Sequence, residues 1–230
     1  MGMDGMFGWT TKQNGMTRRG VEMTGAYDGG LATQTMGLMA GTRVASNLGW
    51  RAVEALSAGD KVLTFDNGMQ EIIEVRRSTM WLDAPDSDPA VWPVIVPAGA
   101  LGNREALTLL ADQGVLVESD AACEMYGDPF AVVPAHALEG VRGIRREAPQ
   151  HRVELITILF AEEQVIYAEG GALLHCPVAT MALDVLLEKD VQSYDMLAPR
   201  EASFLAECMV MEDQILATAG WVDGQMAVHC

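Results

Sequence analysis

The sequence is short of basic charge. Fifteen Lys and Arg stand against 32 Asp and Glu, a formal net charge of −17 over 230 residues. A phosphate backbone is gripped by a basic surface, so this balance argues against nucleic acid as a partner. It argues equally against docking on anionic lipid. Paired cysteines are missing too. Cys123, Cys176, Cys208 and Cys230 are scattered and form no C-x-x-C, which disfavours a zinc ribbon, a redox pair or a secreted disulfide scaffold. No apolar run approaches the ~20 residues that span a bilayer, and no basic segment followed by an apolar stretch marks an export signal. The expectation is a cytoplasmic protein, or one exported without such a signal. Neither G-x-x-x-x-G-K nor G-x-G-x-x-G occurs, so no phosphate-cradling loop is expected.

What is present is apolar: half of the residues are hydrophobic although only 6% are aromatic. That is too much core material for an acidic disordered chain, and the length suffices for one domain or two. The texture divides the chain at about residues 36 and 180. Residues 1–36 hold eight of the 23 glycines, six of the 15 methionines, and only Val21 and Leu31 as branched aliphatics. Lys12, Arg18 and Arg19 cancel Asp4, Glu22 and Asp28. Such a segment buries little surface to offset its ordering entropy, so it reads as a flexible arm, with Met3, Met6, Phe7 and Trp9 as its candidate partner-binding anchors.

Residues 37–180 read as mainly β. Short strands are expected at 41–45, 50–51, 61–65, 71–75, 91–96, 106–110, 114–118, 131–134, 153–160 and 163–168, with Asp66-Asn67-Gly68 as a hairpin turn. Residues 181–230 change period and suggest two short helices, one over 181–187 and one opening at Pro199. The tail is acidic, with Lys189 and Arg200 against nine carboxylates. The predicted architecture is a folded-over all-β domain with an N-terminal arm and a helical C-terminal extension.

The run Gly41-Thr42-Arg43-Val44-Ala45, then Gly49-Trp50-Arg51-Ala52-Val53-Glu54-Ala55-Leu56 and Gly59-Asp60-Lys61-Val62-Leu63-Thr64, resembles the opening of Hint (Hedgehog/intein) domains. The bacterial proteins of alphaproteobacteria are the nearest relatives that this resemblance suggests. Residues 93–102, 130–138 (with Val133-Pro134-Ala135) and 165–170, the last of these as the final strand, fit the same pattern. An active member begins with Cys or Ser, which attacks the preceding carbonyl and converts an amide to a (thio)ester. A His in a T/S-x-x-H motif protonates the leaving nitrogen, a second His supports a later step, and splicing members end in His-Asn.

At each of these positions the sequence departs from the family pattern. Gly37 occupies the nucleophile position. The T/S-x-x-H motif falls on Leu110-Ala111-Asp112-Gln113, and Gln exchanges no proton near neutral pH. The late histidine falls on Glu163. His229-Cys230 lacks an intervening Asn, so cyclisation is unavailable there. The resemblance therefore implies a Hint scaffold without catalytic residues, acting as a structural or interaction module that docks on a larger assembly through residues 1–36. The competing expectation is an autoprocessing domain with an unusual nucleophile, Cys176 or Thr42; a third is a β module that binds a small molecule in the former cleft.

Other candidates read as structural. His175-Cys176 is a thiol beside an imidazole, but neighbours on a strand point to opposite faces, which favours a buried pair. Asp83, Asp86 and Asp88 lack the glycine and distal Glu of a Ca²⁺ loop. His136 and His151 stand alone. No metal or cofactor is expected.

Overall fold

Consecutive burial rather than alternation marks the central strands. Gly114, Val115, Leu116 and Val117 are all buried, and so are Leu155, Ile156, Thr157, Ile158 and Leu159. Such strands are covered on both faces, and so read as continuous apolar runs. The structure is a computed structural model that describes residues 36–80, 88–149, 153–178 and 194–226.

Fourteen strands are found among the described residues: β1 (Leu38–Met39), β2 (Arg43–Ser46), β3 (Gly49–Ala52), β4 (Lys61–Thr64), β5 (Gly68–Glu71), β6 (Glu74–Met80), β7 (Val94–Val96), β8 (Leu107–Leu109), β9 (Gly114–Glu118), β10 (Phe130–Pro134), β11 (Arg145–Arg146), β12 (Val153–Leu159), β13 (Gln164–Ala168) and β14 (Ala172–Cys176). Two helices join them, α1 (Asp120–Tyr126) and α2 (Pro199–Met226). One sheet runs β11-β7-β8-β1-β12-β6. The other runs β10-β9-β14-β13-β2-β4-β5, with β3 on β2. These fourteen strands pair with one another antiparallel, and two isolated bridges, Val132↔Met196 and Phe160↔Val178, are parallel. The main core fills with side chains such as Phe160, Leu56, Ile72, Ile156, Ile166 and Leu205. The mainly β expectation holds.

Several details differ from the expectation. Asp66-Asn67-Gly68 does turn the chain, but the return strand is β5, paired Lys61↔Glu71 through Thr64↔Gly68. The segment 71–75 is no single strand: Ile72 and Ile73 break it, and β6 pairs with β12 in the other sheet. Among the described residues a further strand, β14, follows 165–170. Helix α1 went unforeseen, because seven residues are too few to establish a helical period; Ser119 caps its start by accepting from Ala121 N–H at 3.1 Å. The helix opening at Pro199 is much longer than expected. The expected helix over 181–187 lies outside the described residues, as do Met3, Met6, Phe7, Trp9, Asp83, Asp86, His151 and His229-Cys230. Among the described residues no helix is long and apolar enough to cross a membrane.

Two features of the motif run earn their residues. Gly59 takes φ +91°, a left-handed conformation. The next residue, Asp60, accepts Ser57 N–H at 3.0 Å and lies 3.3 Å from the Arg51 guanidinium. At the β13–β14 hairpin a Cβ on Gly171 would run into the carbonyl of Gly102, so only glycine lets the two loops touch. Helix α2 buries Ala202, Leu205, Ala206 and Met209. Asp213 takes a two-pronged ion pair from Arg142, both bonds at 2.8 Å, and Glu212 accepts from Ser119 Oγ and Ala121 N–H, each at 2.8 Å.

Candidate functional site

Strand β1 is only two residues long, yet it lies inside its sheet. Leu38 pairs with Ile156 of β12 on one side and Leu109 of β8 on the other. That pairing fixes the peptide just before it, Met36–Gly37. The turn between β8 and β9 brings Gln113 to the same place, and β14 adds His175 from the second sheet.

The geometry is a clamp on one peptide unit. Gly37 N–H donates to Gln113 Oε1 at 3.2 Å. The Thr157 hydroxyl donates to the Met36 carbonyl at 3.3 Å. Both polar atoms of the same amide are therefore held by side chains. Gln113 is itself held: its Nε2 donates to His175 O at 2.8 Å and Gly114 O at 3.1 Å. It is 1% exposed, so all three bonds are made away from water. A buried carboxamide so fully used is fixed in orientation.

The residues that the resemblance singled out distribute as follows. Gly37 and Gln113 meet directly. A Cβ at position 37 would stand 3.1 Å from Thr157 Oγ1, a contact relieved by a shift of a few tenths of an ångström, and its φ is not in the left-handed region. Leu110 is buried in a small cluster with Met39 and Leu155. Glu163 Oε2 accepts Tyr194 N–H at 3.1 Å and lies 3.7 Å from His175 Nε2. Thr42 is buried just after β1. His136 Nδ1 lies 3.0 Å from Ala111 O and 3.4 Å from Asp112 Oδ1.

His175 and Cys176 are both buried. Burial pushes the Cys176 thiol up to about 12, so the nucleophilic thiolate is absent at neutral pH. Burial lowers the His175 pKa, against the opposing pull of Glu163. Among the described residues neither of its ring nitrogens has a hydrogen-bond partner, the Glu163 carboxylate standing 3.7 Å from Nε2. Tyr194 stacks edge-on at 6.1 Å and in turn bonds Asp66. Thr157 and the His175 carbonyl were not legible beforehand: Thr157 stands mid-strand without a motif, and only the register of β1 on β12 reveals it. Among the described residues, no cluster of three or more His, Cys, Asp or Glu could hold a metal ion.

The buried imidazole carries a pH dependence. The unfolded chain protonates His175 near its ordinary value, about 6.5; the folded chain resists until lower pH. The stability it contributes is therefore complete above about pH 6.5 and declines as pH falls towards the depressed folded value. Urea midpoints measured at pH 7.5 and pH 5.5 should drop at the acid end, and the drop should shrink in His175→Gln. An equal drop in both proteins would assign the effect elsewhere.

A family model described as a Hint domain matches residues 36–173, more than half of the chain. Solved structures align as well. The bacterial intein-like domain from Clostridium thermocellum is 15% identical, with a TM-score of 0.44 over 61% of this chain and 98% of that one. A splice-inactive variant of the AceL NrdHF class 3 split intein is 11% identical, with a TM-score of 0.41 over 63% and 99%. The MchDnaB-1 intein is 12% identical, with a TM-score of 0.39 over 60% and 98%. No curated protein matches the chain. With its model spanning the strands that build the clamp, the chain belongs to the Hint domain family.

Proposed function

We propose that this chain is a catalytically silent Hint domain, of the kind carried by alphaproteobacterial proteins, that serves as a structural or interaction module. It docks on a larger protein assembly through residues 1–36. The observation that carries the reading is the clamp itself: the Met36–Gly37 amide is gripped at both polar atoms, yet no nucleophile stands at position 37 and Gln113 has no proton to give. Catalysis of acyl transfer needs an attacking group and an acid for the departing nitrogen. Neither is supplied, and the nearby thiol of Cys176 is held protonated.

An intact peptide at this point keeps residues 1–36 joined to the body. The segment is electrically neutral, whereas the rest of the chain carries the whole −17, so it approaches a partner with less long-range charge repulsion than a strongly acidic body would meet from another acidic protein. Affinity capture compares the full chain with a variant lacking residues 2–35. Loss of the captured assembly in the shortened protein is the expected result. Unchanged capture would move the docking surface onto the body.

A further inference from the structure

A groove of about 670 Å³ runs between the second sheet and helix α2. Its floor carries Phe65, Leu116, Phe130 and Tyr167, with Phe65 and Phe130 in edge-on contact at 5.0 Å. Its wall is the stretch of α2 beyond Asp213, where Ile215 and Leu216 are 66% and 70% exposed. Two large aliphatic side chains facing an aromatic floor, with nothing between them among the described residues, form a surface that a partner would cover. Its rim is acidic. Asp213 and Glu212 are already engaged, by Arg142 and by Ser119 with Ala121. Glu118 and Asp120 line the same groove without an ion pair among the described residues.

We propose that this groove holds the chain's own N-terminal segment, residues 1–35, in the absence of a partner. The segment has the matching chemistry: Met3, Met6, Phe7 and Trp9 for the aromatic floor and aliphatic wall, then Lys12, Arg18 and Arg19 for the rim, a local basic stretch although Asp4, Glu22 and Asp28 to either side make the segment neutral as a whole. It also starts in the right place. Gly37 is fixed to Gln113, and Leu116 is three residues further along, about 10 Å at the rise of a strand. Thirty-five residues can span on the order of 100 Å, so the anchors reach the groove with slack. Tethering so close gives the segment a high effective concentration over any free competitor.

The inference rests on the reading that residues 1–36 are the adhesive part of the molecule, and adds how they are stored. A partner would have to draw the segment from the groove, which makes docking competitive with an internal contact. The test is limited proteolysis of the full chain with trypsin, following cleavage after Lys12, Arg18 and Arg19 by mass spectrometry. The wild-type protein should be protected, at a rate independent of protein concentration. The double variant Ile215→Glu/Leu216→Glu alters exposed side chains, so the fold persists, and its cleavage should be about tenfold faster. Glu118→Lys should accelerate cleavage by repulsion alone. Equal rates in wild type and variants would overturn the proposal. Protection that strengthens with concentration would overturn it in favour of a second copy as the groove's owner. Loss of protection together with intact capture of an assembly would sink the groove contact while leaving the docking role standing.

Discussion

Replacing Gly37 by Cys and Gln113 by His should make the protein cut itself between residues 36 and 37 when dithiothreitol is added. Each part of the step has a place in the structure. The introduced thiol lies beside the carbonyl carbon of Met36, the imidazole takes its proton, and sulfur attacks. The Thr157 hydroxyl, already 3.3 Å from the Met36 carbonyl oxygen, donates to the oxyanion that forms. The imidazole faces the amide nitrogen that Gln113 now contacts at 3.2 Å, and returns the proton to it as the C–N bond breaks. The product is a thioester with a free amine at position 37. Dithiothreitol then takes the acyl group and releases residues 1–36 from residues 37–230. The backbone at position 37 admits a side chain: its φ lies outside the left-handed region, and the nearest atom to a Cβ there, Thr157 Oγ1 at 3.1 Å, need shift by only a few tenths of an ångström, which leaves its bond to the Met36 carbonyl in place. Gly37→Cys alone should cleave far more slowly, because a carboxamide cannot carry the proton. A double variant that folds and stays whole would mean that the clamped amide is not in an attackable register.

Gln113→Leu should cost the most stability of any single change at the site. The side chain is similar in volume, so packing alone predicts little. The loss comes from three buried polar groups, Gly37 N–H, His175 O and Gly114 O, which would all lose the bond that Gln113 makes to them. Stranding one buried group costs about 1–3 kcal/mol, and some relaxation is available, so a total of roughly 3 kcal/mol is expected. Urea denaturation at neutral pH measures it. A loss under about 0.5 kcal/mol, the scale of an ordinary surface change, would show that Gln113 is not the keystone joining the two sheets.

How legible this was depended on the kind of signal. The hairpin at Asp66-Asn67-Gly68, the buried run 114–117 and the strand over residues 153–159 follow from local rules of turn chemistry and burial. The motif run from Gly41 to Thr64 was readable because its glycines and Asp60 answer to backbone geometry. The meeting of Gly37 with Gln113 was implied only through the family resemblance. Their sequence separation is 76 residues, and nothing local in either residue speaks of the other. Thr157 was invisible because a threonine inside a strand reads as β propensity, and its hydroxyl acquires a role only when β1 inserts beside it. The short strand β1 itself was too brief to announce, being two residues whose conformation is imposed by β8 and β12. The mistaken return strand at 71–75 has the same root: Ile72 and Ile73 look like strand interior, but Ile72 is core filling at the point where the chain leaves one sheet for the other.

The chemical silence proposed for the clamped Met36–Gly37 peptide has a direct readout. Intact-mass spectrometry of the purified wild-type chain, incubated with and without dithiothreitol and hydroxylamine at neutral pH, tests it most directly. A single species of full-length mass is expected under all conditions. A thiol-dependent pair of fragments, abolished by Cys176→Ala or by Thr42→Ala, would contradict it.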